Sequence, residues 1–430
     1  MKLFPHQQEA LEASKGFENV AFFHDMGLGK TFTGAEAMFR YDCRCNLLIC
    51  QKSKIRDWMD HFKTYYPRIN LYDLTDRTQL DTFIGQSMLG WHTVLGVINY
   101  ELCWRREDLL TLEDFCLMLD ESSLIQNRKT RQANMVLKMK PSHVILLSGT
   151  PVGGKYENLW TQCHLLGWNI TEHAYEQTFV NWKLSTPDGS GVRHWMVDRD
   201  NPYKQTDRLK RKLKAHGAFF LKTEDVIDLP EQSFIKVMVE PTKEYNTFKK
   251  DKIVVITERN TEGFDDVTLV GDTSLTKLLY ARQLCGQYNP YKLTAFRDLL
   301  QSTDDRLIVF YSFNDELEAL KTICQNEGRP TSEVNGSTKD LTAYKNHSNS
   351  VTLVQYQAGS KGLNLQKCNR IIYFTLPLSS EHFEQSKKRI HRIGQKRPCQ
   401  YYLMLCRNTV EEDILKTLEE RKDYTDDLFH

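Results

Sequence analysis

The sequence predicts an α/β chain built as two parallel-sheet lobes in tandem, and three observations lead there. Short apolar runs recur, each followed by a loop of small or charged residues and then an amphipathic stretch, which is the order of repeated β-α units. The runs fall into two sets with a long gap between them. A chain of 430 residues is long enough for two or three domains at roughly 150 residues each.

The first set comprises Val20–Phe23, Asn46–Cys50, Thr93–Ile98, Phe115–Leu119 and Val144–Leu147. These runs are nearly continuous in apolar residues, as strands covered on both faces should be. The second set comprises Arg306–Tyr311, Val351–Gln355, Arg370–Phe374 and Gln400–Leu405. Between them, from about Val152 to Tyr291, lie a turn-rich stretch at 185–191, a basic run Arg208–Lys214 and a periodic stretch Leu275–Leu284. Helical insertions are expected there, with the lobe boundary near Pro230. The expected lobes are therefore 1–230 and 231–430.

Composition narrows the class. A chain that is 40% hydrophobic, 26% charged and 11% aromatic is neither wholly disordered, nor collagen-like, nor a coiled-coil rod. Lys and Arg number 57 against 56 Asp and Glu, so a polyanionic partner must be held by local clusters rather than bulk charge. The eleven cysteines are scattered without a Cys-x-x-Cys pair, which reads as reduced core thiols and no structural zinc. The N-terminal stretch lacks the apolar segment of a signal peptide, and no run is long enough to cross a bilayer. A cytosolic protein without a membrane partner is the expectation.

Three strand ends carry chemistry. Val20–Phe23 runs into HDMGLGKT at 24–31 and then a helical pattern. Backbone N–H groups around Gly27 and Gly29 would cradle phosphates, Lys30 would reach the β/γ-phosphates, and the Thr31 hydroxyl would ligate Mg²⁺. The full phosphate-loop pattern has Gly where this chain has His24, so a plain strand-to-helix turn is the alternative. Phe115–Leu119 ends in Asp120–Glu121, two acids at the carboxyl end of a strand, where open α/β sheets bind ligands. Asp120 suits Mg²⁺, directly or through water, and Glu121 suits orienting and deprotonating an attacking water. A solvated acidic turn is the alternative. Val144–Leu147 ends in SGTP at 148–151, small hydroxyls suited to sensing a γ-phosphate, with an ordinary turn as the alternative. In the second set, QSKKRIHRIGQ at 385–395 places Arg389 and Arg392 three apart, on one face if the segment is helical, able to neutralise charge on a transferred phosphoryl group. A solvated basic helix is the alternative.

The order of these motifs resembles the Swi/Snf-type ATPases, double-stranded DNA translocases of helicase superfamily two. LFPHQ at 3–7 looks like the family's adenine-reading motif and points to Gln7. DMGLGKT at 25–31, DESS at 120–123, SGTP at 148–151 and AGSKGLNL at 358–365 match its nucleotide-binding, acidic, third and fifth motifs. RIHRIGQ at 389–395 is similar to its sixth, which makes Arg389 and Arg392 the candidate arginine fingers. The resemblance runs nearly end to end. It implies two RecA-like lobes, with protrusions at about 155–217 and 241–285, ATP and Mg²⁺ at the inter-lobe cleft, and coupling through Ser148, Thr150, Gly362 and Gln395. Three departures bear on DNA contact and coupling: Phe4 for the usual Arg, Gly153–Gly154 for Gln-Asn, and Gln355 for Thr.

The same resemblance implies phosphate contacts from Lys52, Ser53, Asn99, Tyr100, Ser312, Ser360 and Lys361, which would position the protein without reading sequence. The expected activity is that of a monomeric, bare, phage- or bacterium-sized motor moving along double-stranded or branched DNA. The rival readings are a strand-separating or branch-migrating helicase, a nucleotide-dependent DNA-binding scaffold, and a P-loop phosphotransferase.

Overall fold

The structure, a computed structural model, describes residues 3–186, 193–260, 263–359 and 363–429. The chain forms two compact units, Met1–Ile227 with Lys422–His430, and Asp228–Arg421. The division falls three residues before Pro230, and the last nine residues go with the first unit.

The first unit holds a seven-stranded sheet made of β1 (Asn19–His24), β2 (Cys45–Cys50), β3 (Asn70–Asp73), β4 (Val94–Asn99), β5 (Phe115–Asp120), β6 (His143–Leu147) and, after a hairpin of β7 (Trp182–Ser185) and β8 (His194–Val197), β9 (Ala218–Leu221). The order is β3-β4-β2-β5-β6-β1-β9, and every pairing is parallel. Alternate strand residues enter different cores. Phe23, Leu47, Ile49, Leu117 and Leu119 pack on one face, and Phe22, Leu48, Cys50, Cys116 and Met118 on the other. Both faces are therefore covered, which is why these strands read as unbroken apolar runs. The last residues of the chain join this unit through Tyr424, whose ring meets Tyr203 edge-on, and Asp427, which pairs with Lys210 at 2.5 Å.

The second unit repeats the plan with β10 (Gln232–Val239), a hairpin of β11 (Ile253–Asn260) and β12 (Gly263–Val270), then β13 (Leu307–Tyr311), β14 (Thr331–Val334), β15 (Lys339–Asp340), β16 (Val351–Gln355), β17 (Arg370–Tyr373) and β18 (Cys399–Cys406). The order is β10-β18-β17-β13-β16-β14-β15, parallel except for β14 with β15. Two tandem RecA-like parallel-sheet lobes are thus present.

The insertions are not purely helical, as the sequence reading had them. Residues 155–217 carry helices Trp160–Leu165, Glu172–Phe179 and Thr206–Ala215, but also the β7–β8 hairpin. Residues 241–285 carry helices Lys243–Asp251 and Ser274–Cys285 around the β11–β12 hairpin. Among the described residues each hairpin pairs only with itself, so neither presents the doubly covered apolar run that marks a sheet interior.

All eleven cysteines are free, and ten are buried. Among the described residues, no helix is long and apolar enough to cross a membrane.

Candidate functional site

In the sheet order β5, β6 and β1 are neighbours, so the loops at their carboxyl ends meet at one edge of the first unit. β1 ends at His24, and the chain turns through Asp25–Gly29 into helix Lys30–Arg40. Gly27 (φ 92°) and Gly29 (φ 74°) are left-handed, a conformation glycine adopts without steric cost. At Gly29 a side chain would also strike the Gln7 amide. The helix then lies close to the sheet because Gly34 faces Leu147 and Met118, leaving no room there for a side chain.

Gln7 donates to the Gly29 carbonyl at 3.0 Å while its own amide oxygen accepts from Phe4 N, and His6 reaches the Leu28 carbonyl at 3.0 Å. From below, the Lys30 ammonium donates to the carbonyls of His24 (2.8 Å) and Asp25 (3.2 Å). Asp25 in turn accepts from the backbone N–H and hydroxyl of Thr223, so the loop is fastened to the segment that leads out of this unit. The His24 ring is buried, and both its nitrogens lack a partner among the described residues. Burial first, then the nearby Lys30 charge, push its pKa down to about 3, so the ring is neutral beside the ammonium.

Asp120 accepts a hydrogen bond from the Trp58 indole at 2.8 Å, and its carbonyl accepts one from the Tyr100 hydroxyl at 3.0 Å. Burial raises the pKa of this carboxyl, while the indole bond and the Lys30 charge act in the opposite direction. The influence of Lys30 brings the first two motifs into one electrostatic site. Glu121 follows with φ 57°, a left-handed conformation rare outside glycine, and opens the turn Ser122–Ile125. Backbone strain at such a position is a feature of functional sites.

The third motif closes over Lys30. A side-chain carbon at Gly149 would stand 3.4 Å from Lys30 Nζ and 3.2 Å from Met26 Cγ. Ser148 Oγ accepts from Thr150 N at 3.2 Å, and the Thr150 hydroxyl is buried without a partner among the described residues. Gln162 links the acidic and third motifs. Its Nε2 donates to the Pro151 carbonyl at 2.6 Å, and its Oε1 accepts from the Ser122 hydroxyl at 3.3 Å.

The sequence reading missed Trp58, Gln162 and Thr223. Trp58 and Phe62 have ordinary core spacing on helix Ile55–Tyr65, and nothing in that pattern marks an indole as a carboxylate's donor.

Lys52 and Ser53 are exposed after β2. Lys52 and Asn99 line a groove of about 1130 Å³ with Arg56, Lys63 and Arg105, opposed by Asp60, Asp73 and Glu101. Tyr100 does not fit the expected phosphate contact. It is buried with its hydroxyl engaged by Asp120, because the helical turn Tyr100–Cys103 directs it into the core. Asn99 is largely buried and donates to Glu101 at 2.7 Å.

In the second unit, Arg389 and Arg392 do not share a helix face. Helix Ser380–Lys387 ends before them: Arg389 N and Ile390 N turn to the carbonyls three residues back, Ser386 and Lys387, and the Arg389 carbonyl accepts from Leu365 N (3.2 Å). Arg389 is only 2% exposed and reaches toward the Leu363 carbonyl, whereas Arg392 is half-buried, and burial lowers the pKa of its guanidinium. Gln395 is a structural tie, with its amide donating to the carbonyls of Gln366, Cys368 and Ile390. The Ser312 hydroxyl accepts from Arg282 at 2.9 Å. Ser360, Lys361 and Gly362 lie outside the described residues.

Residues 6–289 match the SNF2-related domain. The chain belongs to the SNF2-related family. Residues 291–394 match the helicase conserved C-terminal domain. The SNF2-related match runs past Ile227 into the second unit and takes in Arg282, the partner of Ser312.

One relative is the mouse (Mus musculus) SWI/SNF-related matrix-associated actin-dependent regulator of chromatin subfamily A member 1, 24% identical over 92% of this chain and 40% of its own length. The chain thus spans well under half of that relative. Another is the uncharacterized ATP-dependent helicase YqhH of Bacillus subtilis (strain 168), 24% identical over 97% of this chain and 78% of its own length. Among solved structures, the Sulfolobus solfataricus SWI2/SNF2 ATPase core in complex with dsDNA aligns over 99% of this chain and 92% of that one, with 18% identity and a TM-score of 0.46.

Proposed function

We propose that this SNF2-related chain is a motor that hydrolyses ATP to move along double-stranded DNA. The observation that carries the reading is the meeting of Gln7, the 25–31 loop, Asp120–Glu121 and Ser148–Thr150 at one sheet edge. The backbone N–H groups at the start of helix Lys30–Arg40 suit phosphates, and the Lys30 ammonium beneath the loop suits their charge. Thr31 and Asp120 are hard oxygen donors of the kind Mg²⁺ prefers, and Trp58 fixes the Asp120 carboxylate in place. When bound there, the ion would neutralise charge on the phosphates.

Glu121 is the base that orients and deprotonates water. Arg392, half-buried within the second unit's sixth motif, is the better of the two candidate fingers, because the Arg389 side chain is almost fully buried. Ser148 and Thr150 pass the state of the γ-phosphate onward, and Lys52 and Ser53 contact the DNA backbone. Among the described residues, β17, a helix and β18 follow the fifth motif without an intervening hairpin, which favours translocation over strand separation by a wedge.

The test pairs displacement of a third strand from a triplex with unwinding of a tailed duplex, at the same ATP and salt. Triplex displacement with little unwinding, and turnover stimulated more by duplex than by single strands, is the expected result. Unwinding without triplex displacement would replace the translocase by a helicase. Lys30→Ala and Glu121→Gln should both abolish turnover, with only the second retaining ATP binding. Arg392→Ala should slow DNA-stimulated turnover by about 10³–10⁵ with ATP affinity little changed.

A further inference from the structure

The basic run that the motifs leave unexplained folds as helix Thr206–Ala215 in the first insertion. From Lys204 to His216 the sequence holds six Lys or Arg against one acid, Asp207, in a chain whose charges nearly cancel overall. Leu209 and Leu213 are fully buried and fix the inner face. Lys210, on its flank, is taken by Asp427. Arg208, Arg211, Lys212 and Lys214 are all exposed. Among the described residues, no ion pair engages Arg211, Lys212 or Lys214.

A solvated face is the plain alternative. Lys212 and Lys214 sit in the last turn, where the helix dipole favours cations. The dipole does not account for Lys204 or Arg208, which lie before or in the first half of the helix, and Arg211 precedes the last turn.

At about 1.5 Å per residue, Arg208 to Lys214 spread over ~9 Å of helix axis. With each DNA strand carrying a phosphate every ~3.4 Å along the duplex, that length faces two or three phosphates of one strand. The β7–β8 hairpin is rooted on the segment entering this helix, through Asn181 N to the Pro202 carbonyl and Lys204 N to the Phe179 carbonyl. In its register Leu184 stands opposite Trp195, and both are exposed, Trp195 to 67%. The exposed Trp195 indole, on a hairpin rooted at the entry to the helix, offers an apolar surface of the kind that sugar edges can meet.

We infer that helix Thr206–Ala215 is an accessory binding element for the phosphate backbone of duplex DNA, separate from the motif loops. This goes beyond the proposed motor function. It requires only that the first unit meet duplex, and its helix is distant in sequence from every ATPase motif.

The experiment measures binding of the full chain to a labelled duplex across a salt series, for the parent and for Arg208→Gln/Arg211→Gln/Lys212→Gln/Lys214→Gln. Each phosphate that the variant no longer neutralises should lower the salt slope by about 0.9, so a fall of about 2 is expected. The duplex concentration giving half-maximal ATPase stimulation should rise, while the rate at saturation holds. Arg208→Lys/Arg211→Lys, which keeps the charge, should retain the parental slope. An unchanged slope and affinity would assign the stripe to solvent or to an acidic protein surface and overturn the inference. An equal or larger loss on single strands would overturn the duplex assignment. Failure of the motor reading would appear differently, as absent triplex displacement in the parent itself.

Discussion

Asp120 shows how a single bond tunes a carboxyl. Burial favours its protonated form, and the Trp58 indole favours the carboxylate. Trp58→Phe keeps the ring that stacks on Phe62 but removes the donor. The Asp120 pKa should then rise, so the acid limb of the ATPase pH profile should move to higher pH, with more Mg²⁺ needed for half-maximal turnover; a pH–rate series at several Mg²⁺ concentrations checks both. His24 gives a stability prediction of definite sign. Its pKa is about 3 in the folded chain against 6.5 in the free side chain, so between those values the unfolded state binds the extra proton. Its contribution is fully present above about 6.5 and is lost as pH falls toward 3. His24→Gln should flatten that dependence, as read from denaturant midpoints across the window.

At the scale of elements, the second unit is held by a buried ion pair. Lys292, on helix Pro290–Gln301, meets Glu411 of helix Val410–Phe429 at 2.6 Å, both essentially without exposure. The other Glu411 oxygen accepts from Cys406 N at the end of β18. Both carboxylate oxygens are thus engaged, which explains a cluster of Cys285, Cys406 and Glu411 without assigning it to a metal. Such a pair adds little over well-packed apolar residues, but breaking it strands a charge and costs about 3–5 kcal/mol. Lys292→Met should lose stability of that order, and adding Glu411→Gln should restore part of it in denaturant titrations.

At the scale of the whole molecule, two units with separate cores should not unfold as one two-state system. Calorimetry should resolve two transitions. Lys292→Met should lower one and leave the other in place, whereas Gly34→Val, which crowds Leu147 and Met118 in the first unit, should lower its counterpart. A single transition moved equally by both variants would show that the units unfold together.

How much was legible in the sequence follows from where each feature draws its determinants. Strands in the middle of both sheets were readable within a residue or so at each end, because coverage on two faces demands continuous apolar runs. The strands missed were β3 and β9 at the edges of the first sheet, β10, β14 and β15 at or beside the edges of the second, and the two hairpins. Edge strands such as Asn70–Asp73 and Gln232–Val239 are half-exposed, so polar residues interrupt their pattern. The loops at 25–31, 120–123 and 148–151 were legible because their chemistry lies in consecutive residues at strand ends. Three things belonged to tertiary structure: the indole on Asp120 from 62 positions away, the Gln162 link between two loops, and the burial that separates Arg389 from Arg392. Each depends on hydrogen bonds or packing between segments that meet only after folding, and no local periodicity records such a meeting. The sequence by itself determined the two lobes and the identity of the chemical groups; the folded chain decided which partner tunes each group and which of the two arginines is buried.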